Sequence, residues 1–191
     1  CIQTGTTTEL NLADFFRLNG ISYEALPIET NDEGKENLFA GRCDVYTTDA
    51  SGLSSTRAAA SNPDKWVVLP EIISKEPLGP LVRHGDHQWG DVVRWSLNAM
   101  IIAEELGVTS ENVDAQLGSN VPEVLRLLGV EGSYGEMLEL APDWAYQIIK
   151  QIGNYSESYE ANVGPDTPLE IARGLNALWT QGGILYAPPF R

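Results

Sequence analysis

Hydrophobic and polar positions fall into two regimes along the chain. Through residue 69, short apolar runs alternate with amphipathic ones. Residues 1–3 open as a strand, and residues 7–19 follow as a helix with Leu12, Phe15 and Phe16 on one face and Gly20 as its C-terminal cap. Residues 23–28 read as a strand with Pro27 near its edge. Asn31 or Asp32 caps a helix that reaches Ala40 and stops at Gly41. Residues 43–47 form the next strand, residues 51–60 a helix of small side chains ended by Asn62-Pro63, and residues 66–69 a short apolar strand. Strand and helix in alternation predict an α/β fold on a parallel sheet.

The second regime is helical. Pro70, Pro77 and Pro80, with Gly79, mark residues 70–80 as an extended crossing, and residues 81–83 read as a last strand. A long helix then starts at Asp86 or Asp91 and runs to Leu106, with Trp89, Val92, Val93, Leu97, Met100 and Ile101 on its apolar side and Gly107 ending it. Shorter helices are predicted over residues 110–117, 122–128, 142–152, 155–163 and 168–179. The last of these starts at a capping box, Thr167-Pro168-Leu169-Glu170. Residues 186–191 form an extended tail.

Composition narrows the function classes. The chain is 42% hydrophobic and 20% charged, which excludes disorder. A net charge of −15 excludes nucleic acid and an anionic membrane surface as main partners and describes a solubilising acidic surface. The most apolar stretch, residues 97–103, is interrupted by Asn98 and followed by Glu104 and Glu105, so it reads as a core helix face. Cys1, Cys43, His84 and His87 lack metal-ligand spacing, and no metal or cofactor is expected. Cys1 and Cys43 both begin predicted strands. If those strands are neighbours, a disulfide is within reach, closing a loop worth about 4 kcal/mol on the chain-entropy model; two reduced core thiols are the alternative. The chain opens on Cys1 without Met or a signal peptide and enters a strand at once. This reads as a processed product or a piece of a longer protein. A lipidated first cysteine is the competing reading, but Ile2-Gln3-Thr4-Gly5 is no flexible polar tether.

Candidate chemistry sits at two strand ends. Gly5-Thr6-Thr7-Thr8-Glu9 reads as a strand opening into a helix, where unpaired N–H groups and the positive end of the helix dipole converge beside the hydroxyls. Asp49 closes Gly41-Arg42-Cys43-Asp44-Val45-Tyr46-Thr47-Thr48-Asp49 at the end of another strand. In parallel sheets ligands bind outside the carboxyl ends of strands. One point that favours a negative group and one that favours a positive group suit a zwitterion such as an amino acid. Each feature also has a plain structural reading: Thr6, Thr7 and Thr8 as helix caps, Asp49 as the cap of the helix after it, Asp44 as a solvent-facing charge, and His84 and His87 as loop residues. An enzyme acting on a small carboxylate, dehydratase-like, would need an acid–base residue here. Glu9 and Asp49 are the nearby candidates, and they form no obvious pair. A ligand-sensing receptor domain ranks third, since nothing resembles a membrane linker.

The segments 1–14, 40–49, 72–80 and 174–179, with the Tyr186-Ala187-Pro188-Pro189 end, resemble the solute-binding proteins of bacterial amino-acid ABC importers. This is the two-lobed periplasmic class of type II fold, and the general L-amino-acid-binding branch is most similar. The resemblance implies an α/β lobe with a parallel-type sheet over residues 1–76. Residues 77–191 would hold a return crossing and a largely helical C-terminal part of the other lobe. It further implies a non-enzyme that captures L-amino acids in the periplasm and delivers them to the permease subunits. Thr7 matches the family's contact to the ligand carboxylate and Asp49 its partner for the ammonium. Thr6 belongs to the same turn, Thr8 stands where several members carry Gln, and Gln3 takes a pocket-lining strand position. The resemblance also implies that an N-terminal half-lobe, with its signal peptide and the arginine for the ligand carboxylate, precedes this chain. On that basis residues 1–76 should fold compactly. The apolar helix faces of residues 84–191 should instead be left bare, to be covered by self-association, repacking or disorder.

Overall fold

The computed structural model describes residues 1–75 and 77–191; Glu76, where the first lobe was expected to end, lies outside the described residues. The chain divides into two units. One is Cys1–Leu78 with Pro168–Ile171; the other is Gly79–Thr167 with Ala172–Arg191.

In the first unit, β1 (Ile2–Gln3) leads into α1 (Thr7–Leu18), and β2 (Pro27–Ile28) into α2 (Asn31–Phe39); α3 (Ala50–Ala58) follows further on. β1 and β2 pair in parallel, Ile2 opposite Pro27 and Gln3 opposite Ile28. On its other side Ile2 makes a parallel bridge to Thr47. Strand 43–47, expected as a full element, therefore touches the sheet at one bridge. Residues 66–69 and 81–83 form no strand among the described residues, and no neighbouring strand is paired with them. Val67, Leu69 and Leu81 remain exposed. The interior is small: Ile2, Ile28 and Tyr46 are the buried apolar residues among those described here. Gly34 lets α2 approach this core closely. A Cβ there would lie 2.6 Å from Ile28 Cδ1 and 2.7 Å from Tyr46 Cε2. The Tyr46 hydroxyl donates to Asn31 Oδ1 at 2.8 Å, and burial is the main cause raising its pKa above the usual tyrosine value.

The second unit is helical: α4 (His87–Glu105), α5 (Val113–Gln116), α6 (Pro122–Leu127), α7 (Tyr134–Met137), α8 (Trp144–Ile152) and α9 (Tyr155–Asn162). Asp86 caps α4 by accepting from the Trp89 N–H, and Asn154 and Glu157 form a capping box on α9. α4 packs against α6, α8 and α9. Together they close a core that includes Ala99, Val108, Val113, Leu127, Leu128 and Ile149, all essentially inaccessible. The tail joins it. Phe190 is buried against the Trp95, Tyr134 and Trp144 rings at 5.2, 5.4 and 6.1 Å, and its carbonyl accepts from Arg126 Nε at 3.0 Å. Gly129, at φ +75°, passes so close to the Pro142 carbonyl that no Cβ fits there.

Residues 1–76 were expected to fold compactly, and Cys1–Leu78 lie within one compact unit. The helical unit encloses a contiguous core, larger than the interior of the sheet unit, and leaves Trp89, Ile152 and Ile184 exposed. One expectation is corrected here. The helix expected over residues 168–179 is absent. Glu170 adopts φ +52°, which a helix interior does not admit. Arg57 takes the Leu169 carbonyl at 3.4 Å and the Glu170 carboxylate at 2.7 Å. The chain continues as short 3₁₀ turns, Gly174–Asn176 and Trp179–Gln181, with Leu178 bridged to Leu185. Arg173 anchors this stretch. Its guanidinium donates to Glu104 at 3.0 and 3.1 Å and to the Asn176 carbonyl, and lies over the Tyr155 and Tyr159 rings.

Candidate functional site

The carboxyl ends of β1, β2 and strand 43–47 lie side by side, since the three run parallel with β1 in the middle. Each leads into a helix N-terminus, so the sheet's loops gather N–H groups at one end.

At α1, Thr6 is the cap. Its hydroxyl donates to the Gln3 carbonyl at 2.7 Å and accepts from the Glu9 N–H at 3.3 Å. The Glu9 carboxylate turns back to accept from the Gly5 N–H at 2.8 Å. Thr6 and Glu9 are thus engaged in capping, the plain structural role. The Thr7 and Thr8 N–H groups have no partner among the described residues; Thr7 is exposed and Thr8 half-buried. Thr30 and Glu33 repeat the device on α2: the Thr30 hydroxyl accepts from the Glu33 N–H at 3.2 Å, and the Glu33 carboxylate accepts from the Glu29 N–H at 2.8 Å. The cap is Thr30, one residue before the Asn31 or Asp32 expected from the sequence.

At α3, Asp49 occupies the capping position but makes no side-chain capping bond. It is half-buried, and its carboxylate is available to a cationic group. Gln3 donates its amide to the Glu29 carbonyl at 2.9 Å, fastening β1 to the loop after β2. Thr7, Thr8, Asp49 and Gln3 therefore belong to one end of one sheet. Chemically, that end offers N–H donors with a helix dipole behind them and, one strand over, a free carboxylate. The acid–base role an enzyme would ask of Glu9 meets a carboxylate already bound to the backbone. Cys1 and Cys43 are joined as a disulfide, with Cα atoms 5.7 Å apart. Among the described residues no cluster of His, Cys, Asp and Glu could hold a metal ion, and no helix is long and apolar enough to cross a membrane.

No family model matches the chain. It is 56% identical over 192 residues to the glutamate/glutamine/aspartate/asparagine-binding protein BztA of Rhodobacter capsulatus, and 55% identical over 193 residues to the general L-amino acid-binding periplasmic protein AapJ of Rhizobium johnstonii. All of this chain is covered in both cases, and 57% of each relative. Among solved structures it is similar to an ABC transporter periplasmic binding protein from Brucella ovis with glutathione bound. That match has a TM-score of 0.94 and 51% identity, over 100% of this chain and 60% of the other. The fold is that of a periplasmic binding protein. Along its whole length the chain is homologous to the binding proteins of amino-acid ABC transporters, and it spans a little over half of the relatives it matches.

Proposed function

We propose that this chain is the ligand-capturing part of a solute-binding protein that takes up L-amino acids in the periplasm and delivers them to the permease subunits of an ABC importer. In this reading residues 1–76 are the ligand-binding lobe, and residues 77–191 are the return crossing and the helical part of the other lobe. Thr7 and Thr8, with the N–H groups of the turn that Thr6 opens, receive the ligand's α-carboxylate. Asp49 pairs with its α-ammonium, and Gln3 lines the side-chain pocket. The chain binds and releases its ligand unchanged and is no enzyme.

The observation that carries the reading is the pairing of an uncapped carboxylate, Asp49, with the open N–H groups of Thr7 and Thr8 at the same end of a parallel sheet. The ligands in the relatives' descriptions support it. Glutamate, glutamine, aspartate and asparagine share their α-amino and α-carboxylate groups, and the γ-glutamyl end of glutathione carries the same two groups. A site that reads those two groups would accept all of them. Isothermal titration of the chain with L-glutamate, L-glutamine and their D-enantiomers tests this. Saturable binding of the L-forms is expected; heat only from dilution for all of them refutes the reading.

A further inference from the structure

β1 holds its two neighbours in different ways. Toward β2 it forms a regular parallel pair, with Ile2 N–H donating to the Leu26 carbonyl at 3.0 Å and Thr4 N–H to the Ile28 carbonyl at 3.1 Å. Toward strand 43–47 the backbone hydrogen bonds sit on Cys1, beside one parallel bridge between Ile2 and Thr47. The Cys1 nitrogen donates to the Val45 carbonyl at 2.6 Å, and the Cys1 carbonyl accepts from the Thr47 N–H at 3.2 Å. Regular pairing ends at the bridge between Ile2 and Thr47, before Asp49 is reached. Tyr46 ties the same strand to α2 through Asn31, but this sets no register on β1. The buried apolar interior of this unit is too small to fix the strand by packing alone.

The covalent link sits on that same residue. The disulfide joins Cys1 to Cys43 across 42 positions, and the loop it closes carries α1, β2 and α2. A closure of that length removes much of the freedom that would let strand 43–47 leave the sheet. We infer that the Cys1–Cys43 disulfide is the positioning element of the binding site: it keeps the strand that ends in Asp49 in register beside β1, and its reduction loosens the Asp49 side of the site from the Thr7 and Thr8 side. The ligand half of this inference rests on the amino-acid reading above; the strand half does not. Reduction by a dithiol breaks the S–S bond, leaves one thiol on Cys1 and one on Cys43, and converts the dithiol to its cyclic disulfide. Both cysteines are half-buried, within reach of a small reductant.

The test compares the oxidised chain with the same chain reduced by dithiothreitol, reading residue-resolved amide exchange and titration with L-glutamine. The expected result is exchange at the Thr47 amide faster by about tenfold or more, with the Ile2 and Thr4 amides and those of α4 unchanged, and L-glutamine affinity lower by about tenfold. Cys43→Ser should reproduce the reduced chain under oxidising conditions and be indifferent to dithiothreitol. Unchanged Thr47 exchange overturns the inference. So does loss of protection at Ile2 and Thr4 together with Thr47, which would make the bridge a staple of the whole unit. Faster Thr47 exchange with unaltered L-glutamine affinity overturns the positioning role. If Thr47 responds while neither redox state binds L-glutamate or L-glutamine, the strand attachment stands and the amino-acid reading falls.

Discussion

Asp49→Asn separates a binding role from a structural one. The carboxylate is half-buried and makes no capping bond on α3, and Asn caps helices as well as Asp does. The substitution should therefore change stability by less than about 0.5 kcal/mol, the range of surface changes away from special features. What it removes is the charge of an ion-paired hydrogen bond to an ammonium, worth about 1.5–3 kcal/mol. That corresponds to roughly a 10- to 150-fold rise in Kd. Asp44→Asn is the control: it makes the same change in net charge from −15 on the exposed Asp44 of the same strand. At physiological salt the screening length is about 8 Å, so a charge away from the ligand should matter little. Calorimetric titration of wild type and both variants with L-glutamine, alongside their urea midpoints, reads both quantities. Equal affinities for Asp49→Asn and wild type would refute the assignment. Equal weakening by both variants would reduce Asp49 to a contributor to the overall field.

Further outcomes follow from the packing. Arg173→Met leaves Glu104, whose side chain is 9% exposed, without its cation and should cost about 3–5 kcal/mol in urea unfolding; adding Glu104→Gln should restore much of it, and full additivity would show that the two do not act as a pair. Gly34→Ala forces a methyl group against Ile28 and Tyr46 and should destabilise the sheet unit by about 1–3 kcal/mol, read as faster amide exchange at Ile28; an unchanged rate would contradict the close approach of α2. Glu139→Gly relieves a left-handed residue at φ +56° and should stabilise by up to about 1 kcal/mol in thermal unfolding, whereas a loss would show that its side chain contributes more than its backbone strains. Leu18, Ile72 and Leu81 are 81%, 81% and 99% exposed, so light scattering should detect concentration-dependent self-association; a monomer at every concentration would contradict it.

What the sequence disclosed, and what it did not, has physical reasons. The starts of α1 and α4 were legible, since Thr6 with Glu9 and Asp86 before Trp89 close within one turn, whereas at α2 the equally local Thr30 was passed over for Asn31 or Asp32. The proximity of Cys1 and Cys43 was legible as a conditional: both begin predicted strands of one parallel sheet, and the structure makes those strands neighbours although β2 lies between them in sequence. Strand extents were not. Residues 66–69 have a strand's composition, but a strand exists only through a neighbour, and none pairs with them among the described residues. The helix over residues 168–179 had a good local start, and a distant residue, Arg57, competes for the Leu169 carbonyl and the Glu170 carboxylate. The core of the helical unit was hidden for a similar reason. Val108, Val113 and Phe190 lie on short or irregular pieces without periodicity, and only their convergence makes an interior. At the candidate site, the placement of the turn after β1 and of Asp49 at neighbouring strand ends was legible. The division of labour was not: Thr6 and Glu9 are taken up by the helix while Thr7, Thr8 and Asp49 are left open.

The most direct test is a crystal structure of the chain with L-glutamine bound. The account predicts the α-carboxylate within hydrogen-bond distance, about 3 Å, of the Thr7 and Thr8 N–H groups, and the α-ammonium at the same distance from the Asp49 carboxylate. A ligand seated elsewhere, or one whose ammonium is held by other groups while Asp49 faces solvent, would contradict it.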